Sequence, residues 1–169
     1  YKAGRKETPE ELIPQFDLLK ETLGELGIAV LSCEGYEADD ILGAMGELAK
    51  QNHCQALLVT GDKDALQLVG EHVRVLNVKT RMGQTETVNY TPERFREEYG
   101  FDAPHMVDLK ALMGDTSDNI PGVKGVGEKP AMALVGRYGS IDALYEAMPT
   151  PEMAPGTPAK PGVIKKLQE

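Results

Sequence analysis

Ala56-Leu57-Leu58-Val59-Thr60 is an unbroken apolar run that stops at Gly61-Asp62-Lys63-Asp64 and gives way to a short helical stretch through Leu66 and Val69. A run of this length bounded by turn residues reads as a strand buried on both faces. The same order occurs upstream. Ile28 to Leu31 has strand character, Gly35-Tyr36-Glu37-Ala38-Asp39-Asp40 forms an acidic turn, and Ile41, Leu42, Met45, Leu48 and Ala49 follow at helical spacing. Strands alternating with helices predict an α/β fold with a parallel sheet flanked by helices, whose ligands sit beyond the carboxyl ends of the strands. Both acidic turns fall at that edge. If their strands are neighbours, Glu37, Asp39, Asp40, Asp62 and Asp64 converge on one cleft.

Around this pattern the other elements follow from spacing. Leu12, Phe16, Leu19, Leu23 and Leu26 recur at intervals of three and four, which predicts an amphipathic helix from Glu10 to Leu26. Val73 to Val78 and Thr85 to Val88 suggest two strands about a turn at Arg81 to Gln84. Thr91-Pro92-Glu93 has the composition of a helix start, and that helix should close at Gly100. Met106 to Met113 predicts another helix, stopped at Gly114 and followed by a third acidic turn, Asp115-Thr116-Ser117-Asp118-Asn119. Two more helices are expected, from about Glu128 to Tyr138 and from Ser140 to about Met148. Pro149, Pro151, Pro155, Pro158 and Pro161 make the remainder read as a linker or a truncated end.

Composition narrows the class. The chain has 169 residues, of which 41% are hydrophobic and 27% charged, which excludes disorder and collagen. No window of about 18 apolar residues exists and the start lacks a signal-peptide core, so no membrane partner and a cytoplasmic location are expected. A first residue of Tyr suggests a piece of a longer chain. Cys33 and Cys54 have no metal spacing and read as reduced, partly buried thiols. His53, His72 and His105 read as isolated surface or satisfied core histidines. The net charge of −9 argues against nucleic acid only if the acids are evenly spread. They are bunched, and the densest basic stretches, Tyr1 to Lys6 and Lys124 to Arg137, lie apart from them.

Carboxylates packed together repel and raise one another's pKa unless a cation relieves the conflict. A site of scattered Asp and Glu without His or Cys suits Mg²⁺ or Mn²⁺ and not zinc. Two such ions about 3.5 to 4 Å apart can activate water and stabilise a leaving oxygen in phosphodiester hydrolysis. Asp115 and Asp118 bring the candidate acids to seven of the 27 in the chain. Simpler readings stand beside this one: Glu37, Asp39 and Asp40 as helix-cap acids, Asp62 and Asp64 as turn residues, and Asp115 to Asn119 as a solvated loop. Asp108 reads as part of a capping network.

Gly122-Val123-Lys124-Gly125-Val126-Gly127 fits neither a Walker loop, because Glu128 intervenes before Lys129, nor a Rossmann GxGxxG. It reads as a tight turn between helices whose backbone can approach phosphate without reading sequence, or as a plain helix-helix turn.

In order, EGYEADD (Glu34 to Asp40), VTGDKDALQLV (Val59 to Val69) and LMGDTSDNIPGVKGVGEK (Leu112 to Lys129) resemble the flap endonuclease family, as represented by the 5′ nuclease domain of bacterial DNA polymerase I. The likeness covers about residues 1 to 148. It implies a PIN-like core over 1–100, incomplete at its N-terminus, and a helix-three-turn-helix (helix-hairpin-helix) element over 101–148, beyond which 149–169 reads as a proline-rich linker or a truncated end. It further implies two divalent ions, Mg²⁺ or Mn²⁺, held by Glu37, Asp39, Asp40, Asp62, Asp64, Asp115 and Asp118. Activity would be 5′-3′ exonuclease and flap endonuclease cleavage of nicked or branched DNA. Lys2 and Arg5 would be the catalytic cations over the scissile phosphate, with Tyr1 and Lys6 contacting DNA. Gly122, Val123, Lys124, Gly125, Val126, Gly127 and Lys129 would grip duplex, with K⁺ at the turn. A polymerase domain would follow in the full-length protein, placed at the bacterial nucleoid. Family members also carry an upstream strand and two more acids, so the site is expected to be incomplete. Pro130 and Ala133 depart from the family's usual Thr and Lys, which weakens the expected phosphate contacts. A non-catalytic DNA-binding fragment, a PIN-type RNase and a phosphatase-like enzyme with Asp62 as nucleophile remain alternatives.

Overall fold

The computed structural model describes residues 7–147 and Leu167. The expected roles of Tyr1, Lys2, Arg5 and Lys6, and the linker or truncated end over 149–169 apart from Leu167, lie outside the described residues. Helix α1 spans Ile13–Glu25, with Pro14 in its first turn, where a missing N–H is tolerated. None of its residues is buried. The apolar stripe that predicted it, including Phe16 at 47% and Leu19 at 55%, is exposed.

Ile28 to Leu31 does not form the expected strand. It has no regular structure and joins no ladder among the described residues, and an apolar run becomes a strand only where a neighbour takes up its N–H and C=O groups. Helix α2 follows at Ala38–Gln51. The sheet consists of β1 (Ala56–Thr60), β2 (Val73–Arg81) and β3 (Gln84–Tyr90), in that spatial order. β1 and β2 are parallel, with Leu58 opposite Val75, and their connection contains a 3₁₀ turn over Asp64–Leu68. β3 returns antiparallel, so the α/β sheet is mixed and not wholly parallel. Met82 and Gly83 make the return with φ of 52° and 78°, the double positive φ that matches a hairpin's twist.

β1 is less enclosed than its composition suggests. Leu58 is 6% exposed, whereas Leu57 is 51% and Val59 59%. The cause is position: among the described residues β1 pairs on one side only, and no described layer covers the face carrying Leu57 and Val59.

Beyond the sheet lie α3 (Pro92–Tyr99), α4 (Met106–Met113), α5 (Glu128–Tyr138) and α6 (Ile141–Glu146). Thr91 caps α3 by accepting the Arg94 N–H at 3.3 Å, and Gly100 ends it at φ +81°. Ser140 caps α6 in the same way through Ala143. One continuous core joins Leu66 and Val75 to Phe95, which stacks on Tyr99 at 4.4 Å, and runs on through Leu109, Leu112, Leu134 and Leu144. Both cysteines are exposed thiols and not partly buried, because each sits in a loop outside this core. The histidines are less isolated than their spacing implies: His53 and His72 have ring centroids 6.4 Å apart, and His105 Nδ1 lies 3.0 Å from Asp108. Asp108 also accepts the Ile141 N–H at 2.9 Å, capping α6 as expected. No helix among the described residues is long and apolar enough to cross a membrane.

Candidate metal centre

The turn after β1 is fixed by a chain of hydrogen bonds. Asn77, the buried polar residue of β2 at 1% exposure, donates to the Thr60 carbonyl at 3.2 Å. Thr60 Oγ1 accepts the Asp62 N–H at 3.0 Å, and Asp62 Oδ1 accepts the Asp64 N–H at 2.9 Å. From the other side, the Lys63 ammonium donates to the Tyr99 hydroxyl at 3.3 Å. Backbone and side chain of this turn are therefore both anchored, and Asp64 is held facing α4.

The opposing acids arrive on a backbone bridge. α4 stops at Gly114, whose φ of +76° a side chain would disfavour. Asp115 and Ile120 then exchange both N–H to C=O bonds, at 2.9 and 2.8 Å. Gly122 packs backbone to backbone on Gly114, so close that a Cβ on Gly122 would lie 2.2 Å from the Gly114 nitrogen. Within the bridge, Asp115 Oδ1 accepts the Ser117 N–H at 2.9 Å and the Ser117 hydroxyl. This local chemistry fixes Asp115 and carries Asp118 alongside it.

Asp64, Asp115 and Asp118 each present an oxygen, and these three atoms lie within 4.8 Å of one another. Lys110, in the last turn of α4, bridges two of them: its ammonium is 2.6 Å from Asp64 Oδ1 and also bonds Asp115 Oδ2. Hydrogen bonds from Lys110 and then Ser117 hold the Asp115 carboxyl well below its ordinary pKa. Burial alone would pull the Lys110 pKa down, but its bonds to Asp115 and Asp64 outweigh that and hold it above its usual value. The three carboxylates with a lysine already between two of them fit a cation: the donors are all oxygen and the charge is negative.

Asp64 also forms a wall of a second cleft, of about 300 Å³, whose lining includes Asp39 and Asp40 at the start of α2. The first cleft, about 170 Å³, lies between Asp64 and the pair Lys110 and Asp115. Other expected acids have local partners. Asp40 accepts the Glu37 N–H at 2.8 Å, part of a capping box at the start of α2. Asp62 closes its own turn. The bland and functional readings thus coexist, with capping and turn bonds fixing the backbone from which Asp39 and Asp64 project.

In the glycine segment, Gly125 adopts φ +86° and Gly127 is the N-cap of α5. Val126 is 5% exposed and packs in the core, and the Val123 and Val126 N–H groups donate to the Leu112 and Val123 carbonyls at 2.8 and 2.9 Å. Lys124 and Lys129 are exposed. Sequence reasoning missed Lys110 and Asn77. A lone cation in the last turn of a helix that ends on an acidic turn was the available signal for Lys110; Asn77 carried none.

Fold and site together make an α/β protein with a mixed sheet flanked by helices and acids gathered at the carboxyl end of a parallel strand. Residues 1–100 match the family described as the 5′-3′ exonuclease N-terminal resolvase-like domain, and 101–169 match the 5′-3′ exonuclease C-terminal SAM fold. The chain belongs to the 5′-3′ exonuclease family. It is 49% identical over 146 residues to a 5′-3′ exonuclease of Bacillus subtilis, covering 86% of this chain and 48% of that protein. It is 47% identical over 147 residues to DNA polymerase I of Chloroflexus aurantiacus, covering 86% of this chain and 16% of that protein. A bacteriophage T5 flap endonuclease, solved as a pseudo-enzyme-product complex with DNA and metal ions, matches with a TM-score of 0.70 at 26% identity, over 98% of this chain and 57% of that one. The chain thus spans about half, or much less, of these curated relatives.

Proposed function

We propose that this chain carries a metal site of a 5′-3′ exonuclease and flap endonuclease that hydrolyses phosphodiester bonds in nicked or branched DNA. The observation that carries this reading is the convergence of Asp64, Asp115 and Asp118, drawn from both matched segments, to within 4.8 Å. Family membership and the metal-bound, DNA-bound T5 relative support it.

Two ions of Mg²⁺ or Mn²⁺ suit the two clefts that share Asp64: one at Asp64, Asp115 and Asp118, the other at Asp39, Asp40 and Asp64, with Glu37 and Asp62 supporting them through the turns they close. Divalent ions bound there supply an activated water and charge neutralisation at a phosphoryl oxygen. The chain's own residues fix the carboxylates side by side before the ions arrive, which favours preorganised charge stabilisation. Lys2 and Arg5 are assigned to the scissile phosphate, with Tyr1 and Lys6 beside the DNA strand. The Gly122 to Gly127 turn is assigned to duplex backbone, with Lys124 and Lys129 as its cations, Val123 and Val126 setting its shape, and K⁺ as a further ligand. Residues 1–100 are assigned to the nuclease core and 101–148 to the duplex-binding element, with 149–169 a linker or a truncated end and a polymerase domain expected in the full-length protein. A protein acting on chromosomal DNA would sit in the bacterial cytoplasm, at the nucleoid.

Cleavage of a 5′-flap DNA with Mg²⁺ or Mn²⁺, against EDTA and against Asp115→Ala, tests this reading. Metal-dependent cutting that the variant loses is expected. DNA binding without cutting would support the binding-fragment alternative, and preference for an RNA version of the same branched substrate would overturn the DNA assignment. Binding should weaken as salt rises, and Lys124→Ala with Lys129→Ala should weaken it further and flatten that dependence.

A further inference from the structure

The Lys110 ammonium stands on the same oxygens that a metal would use. It contacts Asp64 and Asp115, two of the three acids that converge. The charged groups facing it are Asp64 from the turn after β1, and Asp115 and Asp118 from the bridge after α4. His105, the residue before α4, is engaged by Asp108. A divalent ion bound among these oxygens and an ammonium bonded to two of them would be like charges within a few ångströms, which repel strongly where water is partly excluded. Lys110 is 30% exposed and hangs on a four-carbon stem, so its head can leave without moving α4.

We infer that Lys110 is the resident counter-ion of the centre, which a divalent metal must displace. The lysine stabilises the metal-free protein and weakens metal binding, and the displaced ammonium becomes an added positive charge at the cleft mouth, directed at an anionic substrate. This rests on the metal reading above.

The test is titration of Mn²⁺ and Mg²⁺ by calorimetry, with thermal melting in EDTA and in saturating metal, on the full chain and on Lys110→Met. Lys110→Gln serves as a second neutral variant should Met fail to fold, and Lys110→Arg keeps the charge. The expected result is Mn²⁺ affinity raised about tenfold or more in the neutral variants, the equivalent of one charge-assisted hydrogen bond no longer to be broken. They should also melt lower in EDTA and gain more from added metal than the parent, because a ligand's stabilisation grows with its affinity. Lys110→Arg should behave like the parent. Unchanged or weaker metal binding in the neutral variants, with binding by the parent intact, would overturn the inference and leave the metal reading standing. No divalent binding by the parent or any variant would overturn both.

Discussion

Gly122 and Gly127 belong to one glycine-rich stretch, yet they meet different demands. A Cβ on Gly122 would meet backbone atoms of Met113 and Gly114, the nearest at 2.2 Å, whereas one on Gly127 would meet nothing within 4 Å. Gly122→Ala is therefore expected to destabilise the protein by about 3 kcal/mol, the upper end for overpacking, because backbone cannot yield as a side chain does. It should also weaken Mn²⁺ binding, since Asp115 and Asp118 hang on the displaced bridge. Gly127→Ala should change stability by less than about 1 kcal/mol. Urea denaturation with Mn²⁺ titration separates the two. Ionisable residues add a pH profile. The depressed pKa of Asp115 means that its stabilisation is fully present above its ordinary 3.8 and is lost as pH falls through the lower folded value. Asp115→Asn should flatten the acid limb of a melting-temperature profile. Tyr99 behaves oppositely at the alkaline end. Burial first, then Glu98, pushes its hydroxyl from 10.0 up to about 12, so between those values the unfolded chain releases a proton that the folded one keeps. Stability should fall as pH rises through that window, less steeply in Tyr99→Phe.

At the scale of elements, β1 divides its residues by face. In the 169-residue chain, Leu58→Ala should cost about 2 to 5 kcal/mol, while Leu57→Ser and Val59→Thr should each change stability by less than about 0.5 kcal/mol, as measured by chemical denaturation. The elements most legible in the sequence were those whose signals are local. Thr91-Pro92 with Gly100 marks the start and end of α3, and the β2–β3 hairpin announces itself through alternation and the Met82-Gly83 turn. Ile28 to Leu31 has strand composition, but pairing is not local and the described residues offer no ladder partner. α1 was legible as a helix from its stripe, while the fate of that stripe was not, because burial depends on what packs against it.

For the whole molecule, the sequence made three acidic turns visible and left their convergence conditional. Asp64, Asp115 and Asp118 meet because the 3₁₀ turn over Asp64–Leu68 packs against α4, a contact between distant segments that no periodicity encodes. Lys110 escaped notice for the same reason: its spacing places it only on a helix, and one of its two partners follows a strand far upstream. The Asn77 bond to Thr60 is likewise set by β1–β2 register. If acids from both matched segments make one metal centre, anomalous diffraction from a Mn²⁺-soaked crystal should give a peak among Asp64, Asp115 and Asp118, with the Lys110 head moved off Asp64. A chain that takes up Mn²⁺ elsewhere, or leaves those oxygens bonded to Lys110 at saturating metal, would contradict it.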